Sequence, residues 1–183
     1  MTRLSHACLT TMLITLLAGC GSTLPNHNPT GERFPTVVGE SLQGESVTLP
    51  NALAGEPAVL LIGYKQQAQF DIDRWILGLM QAKADVRLLE VPTIPGMLAS
   101  MASGFIDDGM RSGIPREDWK VVVTLYGGAA KPVAAFTGTE NGNNARVIVL
   151  DKDGQVAWFS DDGYSASKVL AVVGLVEGMV GAQ

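Results

Sequence analysis

The chain has 183 residues, 46% of them hydrophobic and 17% charged, with a net charge of −5 and two cysteines, Cys8 and Cys20. That length suits one domain with its own core, and the acidic balance argues against nucleic-acid binding, which draws on clustered Lys and Arg. Both cysteines lie in the first 20 residues, so no disulfide framework is expected for the rest.

Taken from Met1, the chain opens like an export signal. Arg3 supplies a positive start, Ala7 to Leu17 an apolar stretch, and Ala18 and Gly19 a small-residue step before Cys20. The stretch is too short to span a membrane, which needs about 20 apolar residues. Leu17-Ala18-Gly19-Cys20 resembles the lipobox of bacterial lipoproteins. The resemblance implies diacylglycerol on the Cys20 sulfur, cleavage before Cys20 and acylation of the new amino group. Several acyl chains on one residue give a lasting anchor where a single chain holds only weakly. Gly21 stands where an aspartate would favour inner-membrane retention in enteric-type bacteria, so a bacterial envelope location is expected, with the outer membrane favoured over the inner. Cleavage removes Cys8, His6 and Arg3, leaving 164 residues at a net charge of −6. With Cys20 a thioether, no free thiol remains.

Residues 20–33, the lipidated cysteine and "STLPNHNPTGER", read as a flexible tether carrying His27. The globular domain is expected over 34–183. "FPTVVGESLQGESVTLP" predicts two short strands around Gln43-Gly44. Ala58 to Tyr64 is a continuous apolar run, as in a strand covered on both faces. Ile72, Trp75, Ile76, Leu79 and Met80 make one helical stripe, with Asp71, Arg74, Gly78 and Gln81 expected on the opposite side. Asp85 to Pro92 predicts a second strand. A second helix follows from Pro95 to near Gly113, with Leu98, Met101, Ala102 and Phe105 on one face. Trp119 to Tyr126 predicts a third strand, and Gly127 to Asn144 a loop or irregular hairpin. Val147 to Leu150 and Val156 to Phe159 form a hairpin about Asp153-Gly154. Ser165 to Val180 is a covering helix with Val169, Leu170, Val172, Val173, Val176 and Val180 along its stripe. Strands alternating with helices imply a mostly parallel sheet between helical layers, and the hairpin adds an antiparallel edge.

This order, with Gly55-Glu56-Pro57-Ala58 leading into the central strand and Asp151 to Gly154 in the closing hairpin, resembles the thioredoxin-like superfamily. The similarity is to peroxiredoxins and membrane-tethered periplasmic thiol-disulfide oxidoreductases. It implies an α/β/α three-layer sandwich with a mixed central sheet and an N-terminal β-hairpin extension. The sequence departs from those families at two positions. Where they open the first helix with Cys-x-x-Cys, using the helix N-terminus to lower a thiol pKa, this chain has "GYKQQAQFDID", Gly63 to Asp73. Where they place a cis-proline before the hairpin strand, this chain has Ala145 within "NNARV". A redox-inactive domain is expected, with no cofactor. Tyr64, Lys65, Arg74, Trp75 and the closing hairpin also resemble the thioredoxin-like assembly factor of the mitochondrial ATP synthase membrane sector. That resemblance implies binding of a membrane-protein partner without catalysis.

The candidate binding edge is therefore Tyr64, Lys65, Gln66, Gln67, Gln69 and Arg74 together with Asn143, Asn144 and Ala145. Lys65 and backbone amides there suit an anion or carboxylate, and the glutamines suit an extended polypeptide. The rival reading is a carboxylate enzyme using Asp71, Asp73 or Glu90 near Lys65; a third is a structural envelope lipoprotein with no discrete site. Asp71 and Asp73 most simply favour the helix dipole and pair with Arg74 or Lys65. Asp151, Asp153 and Gly154 mimic a calcium loop but sit in strand alternation with no glutamate at the twelfth position, so a turn is expected. Met97, Met101 and Met110 suit core packing or a partner-binding helix face rather than a soft metal, since no Cys or His accompanies them.

Overall fold

The computed structural model describes residues 23–181, so Cys20 and its lipidation lie outside the described residues. A seven-stranded mixed sheet runs in the order β2-β1-β5-β4-β3-β6-β7. β1 (Val37–Ser41) and β2 (Ser46–Leu49) form the expected N-terminal hairpin, and β1 lies antiparallel to β5 (Val123–Tyr126). β3 (Ala58–Gly63), β4 (Arg87–Ile94) and β5 are parallel neighbours. β6 (Arg146–Leu150) pairs antiparallel with β3 and with β7 (Val156–Ser160). The continuous apolar run is β3, buried on both faces, with Val59 and Leu61 toward one layer and Ala58, Leu60 and Ile62 toward the other.

One layer is α1 (Gln69–Gln81) and α5 (Ala166–Gly181). Ile72, Trp75 and Leu79 of α1 and Val169, Val172 and Val176 of α5 pack on Val59, Leu61, Val147 and Val149. Trp75 is edge-on to Trp158 and Tyr164, with ring centroids 6.0 and 5.9 Å away. Two expectations for α1 are corrected. Asp71 and Gly78 are buried on the packed side, and Met80 is 69% exposed. At Gly78 the helix packs closely against α5 and the residues before it: a Cβ there would lie 2.9 Å from Val169 Cγ2 and 3.0 Å from Tyr164 Cε2. In α5, Val169, Val172 and Val176 are buried as expected, but Leu170 and Val180 face outward.

The opposite layer is α4 (Gly127–Thr137), in a stretch expected to be a loop. Gly127, Gly128 and Pro132 read as helix breakers, yet Ala130, Val133, Ala134 and Thr137 fall at the i, i+3, i+4, i+7 spacing and all are buried. Pro132 removes one helical hydrogen bond, the one its N–H would give to Gly128. Both residues are exposed, so water reaches the carbonyl left behind.

The second predicted helix is two helices, α2 (Met97–Met101) and α3 (Ser103–Gly113), broken at Ala102 with φ −106° and ψ 8°. The shared face points outward, with Leu98, Met101 and Phe105 exposed, so of the two readings of these methionines the core-packing one does not hold for Met97 and Met101. α3 is held through its polar side instead. Tyr126 donates its hydroxyl proton to buried Asp107 at 2.7 Å, and Arg111 Nε donates to the Leu42 carbonyl at 2.9 Å.

The segment read as a tether is seated on the domain over its described part. His27 N donates to Thr137 O, Gly31 N to Val156 O, and Pro29 is buried. Its polar residues serve tertiary hydrogen bonds that composition alone reports as solvation. Among the described residues no helix is long and apolar enough to cross a membrane.

Candidate functional site

β3, β4 and β5 are parallel, so their C-terminal ends share one pole of the molecule, the usual ligand side of such sheets. β3 leads through Tyr64 and Lys65 into a 3-10 turn, Gln66–Ala68, and then α1. β6 begins at the same pole, because Arg146 is in register with Ile62. The candidate residues on 64–74 and 143–145 are thus brought together.

Their side chains divide into an inner wall and a rim. Tyr64 belongs to the wall: its hydroxyl donates to Val133 O at 3.0 Å and lies 2.7 Å from Thr137 Oγ1, tying β3 to α4. Burial pushes its pKa up to about 12, opposed by the Thr137 hydrogen bond and the Arg146 charge. The Arg146 guanidinium stacks 5.4 Å from the Tyr64 ring. Arg146 is fully buried and donates to the carbonyls of Asn141, Asn144 and Glu140 and to Asn26 Oδ1 at 2.9 Å. Burial lowers its pKa, partly offset by Tyr64, Asp161 and Glu140. This single cation gathers the 140–144 loop and the N-terminal segment around itself, and the sequence reading missed it.

The second fixed point is Asp71. Its carboxylate accepts from Ala145 N at 3.0 Å and Tyr164 N at 2.9 Å, and pairs with Arg74 at 3.3 Å. Ala145, at the position where a cis-proline edge was sought, therefore has its N–H satisfied inside the domain. The cis X-Pro peptide among the described residues, Leu49–Pro50, lies at the other pole beside Gly154. Asn144 Nδ2 donates to Asp161 O at 3.0 Å, and Arg74 Nε to Phe70 O at 3.1 Å.

The rim is Lys65, Gln66, Gln67, Gln69 and Asn143, all exposed. Lys65 makes no ion pair among the described residues; its aliphatic stem lies along Gly142, where a Cβ would sit 3.1 Å from Lys65 Cε. Gln69 Nε2 donates to Asp73 Oδ1 at 2.9 Å.

The carboxylates of the rival reading part company. Asp71 turns toward Ala145 and Tyr164, whereas Asp73 accepts from Gln69, and Glu90 on β4 lies in register with Leu61 on β3. Burial pushes the Glu90 pKa up to about 7; a hydrogen bond from Gln69 opposes this and the Asp73 charge adds to it. Asp151 Oδ1 accepts from Asp153 N and Gln155 N, the expected turn. Among the described residues no group of three or more His, Cys, Asp or Glu side chains could hold a metal ion.

No family model and no curated protein matches the chain. Solved structures do match. The pneumococcal exposed lipoprotein thioredoxin Etrx1 from Streptococcus pneumoniae superposes with a TM-score of 0.53 at 13% identity, over 77% of this chain and 99% of that one. The fold is thioredoxin-like. A thiol peroxidase from Chromobacterium violaceum gives 0.54 at 12% identity, over 87% of this chain and 95% of that one. Yeast Sco1 with copper bound gives 0.52 at 16% identity, over 85% and 97% respectively. Against that thioredoxin-like frame, residues 23–181 contain no cysteine, and the pole that starts α1 carries Lys65 to Gln69.

Proposed function

We propose that this chain is a lipid-anchored protein of the bacterial envelope that binds a polypeptide, a segment of a membrane protein, without thiol chemistry. One observation carries the reading. The inner wall of the pole is closed by Asp71 and Arg146, while Lys65, Gln66, Gln67 and Asn143 stay exposed around it on a scaffold with no cysteine in residues 23–181. Such a rim can hydrogen-bond a backbone and hold a carboxylate, and it has no nucleophilic sulfur for disulfide or peroxide exchange. The anchor reading rests on Leu17 to Cys20, and the likeness to a lipoprotein thioredoxin supports an envelope setting. A photo-crosslinking residue at position 66 or 143 in cells tests it. A specific adduct absent from a Lys152 control supports the reading, and identical patterns at all three positions oppose it.

A second reading is favoured by Glu90. A buried carboxyl that burial pushes up to about 7 suits a general acid. Turnover on a substrate panel that is lost in Glu90→Gln, with folding intact, would support an enzyme.

A further inference from the structure

The N-terminal segment is pinned at the pole just described. Leu24 N donates to Thr139 Oγ1 at 2.8 Å, Leu24 O accepts from Thr139 N at 2.9 Å, and Asn26 is bonded to Arg146. Cys20 is four residues before Leu24, and an extended chain spans at most about 3.3–3.6 Å per residue, so their Cα atoms lie within about 14 Å. If Cys20 is lipidated, the membrane surface is within reach of this pole and no long tether separates them.

The same pole carries the most exposed large apolar side chains of the domain. Met97, Leu98, Met101 and Phe105 are 81, 78, 83 and 85% exposed, and Phe70, at the start of α1, is 74% exposed. α2 begins where β4 ends, and Ser100 sits against Gly127 at the start of α4, the helix whose other end holds the N-terminal segment. The stretch 91–106, "VPTIPGMLASMASGFI", contains no charged residue and is bounded by Glu90 and Asp107. Single exposed apolar residues are ordinary on a surface, but four on one uncharged segment are not. An apolar helical face backed by a polar one can rest in the headgroup–acyl boundary, buried about 5–10 Å.

We propose that the α2–α3 ridge, Met97, Leu98, Met101 and Phe105, enters the outer boundary of the bilayer that holds the Cys20 lipid and seats the domain with this pole facing the membrane. The inference rests on the anchor reading and deepens the proposed function. A domain seated this way presents Lys65, Gln66 and Gln67 to a polypeptide where it leaves the bilayer.

The test uses the full chain, purified from membranes after expression in bacteria and reconstituted into phosphatidylethanolamine–phosphatidylglycerol vesicles containing spin-labelled lipid. Met101→Cys, Phe105→Cys and, at the opposite pole, Lys152→Cys variants carry an environment-sensitive fluorophore. Intact mass reports lipidation of Cys20. The expected result is a lipidated mass, a blue shift and lipid quenching at 101 and 105, and neither at 152. In a second variant, Met97→Ser, Leu98→Ser, Met101→Ser and Phe105→Ser together leave the chain in the membrane fraction, and quenching of a probe at Phe70→Cys is lost. A lipidated mass with 101 and 105 quenched no more than 152 overturns the ridge alone. So does capture of a polypeptide by ridge probes that lipid leaves unquenched. An unmodified Cys20 overturns the ridge and the anchor together.

Discussion

The two flanks of the pole use opposite physics. On the α1–α5 flank, buried Asp71 satisfies two backbone N–H groups, Gly78 lets the helices approach, and Trp75 is packed between two aromatic rings. On the α2–α3 flank, large apolar side chains point outward and the attachment is polar, through Asp107 and Arg111. The first flank satisfies the backbone of Ala145 and Tyr164 internally and leaves Lys65, Gln66, Gln67 and Gln69 exposed at the start of α1. The second leaves Met97, Leu98, Met101 and Phe105 exposed on one ridge. One pole of a thioredoxin-like fold thus joins a flank whose buried polar groups are satisfied internally to a flank whose large apolar side chains are exposed.

The comparison breaks most readily at Asp71. Asp71→Ala leaves the Ala145 and Tyr164 N–H groups buried without acceptors and should cost about 3–5 kcal/mol in urea unfolding. Asp71→Asn keeps an oxygen and should cost less.

Glu90 gives the next effect, read as pH dependence. Its folded pKa of about 7 lies above the ordinary 4.5, so the folded state holds a proton that the unfolded state has released. Stability from this group is present below pH 4.5 and is lost as pH rises through 7. Glu90→Gln should match the parent near pH 4 and gain about 3 kcal/mol over it by pH 8, measured by denaturant titration across that range.

Gly78→Leu sharpens the packing side. The added side chain meets Val169 and Tyr164 and should cost about 1–3 kcal/mol. On the other flank, Met101→Ser and Phe105→Ser should change stability by no more than about 0.5 kcal/mol, since neither side chain is buried in the domain. A loss comparable to that of Gly78→Leu would mean that the ridge packs internally.

Much of this frame was legible before the structure. The run 58–64, the Asp153-Gly154 hairpin and the α1 and α5 stripes encode their burial in local pattern. What was not legible depends on contacts between distant segments. α4 hid behind Gly127, Gly128 and Pro132, although its four buried positions have helical spacing. Asp71 passed as a dipole-favouring acid, yet it sits four residues before Trp75 and seven before Gly78, on the stripe itself. An acid on an apolar stripe beside a small residue is the signal that could have found it. The 98–105 stripe is truly helical in spacing, but spacing cannot say whether the domain supplies a partner for it. Residues 24–33 looked solvated because Asn26 and His27 form their hydrogen bonds with residues more than a hundred positions away.

Amide hydrogen exchange at Ala145 and Tyr164 tests the closed pole most directly. The structure predicts that both N–H groups exchange as slowly as the core strand amides of β3 in the parent chain, and that Asp71→Asn selectively speeds both. Exchange at Ala145 as fast as at exposed Asn143 in the parent would contradict the closure of this pole by Asp71.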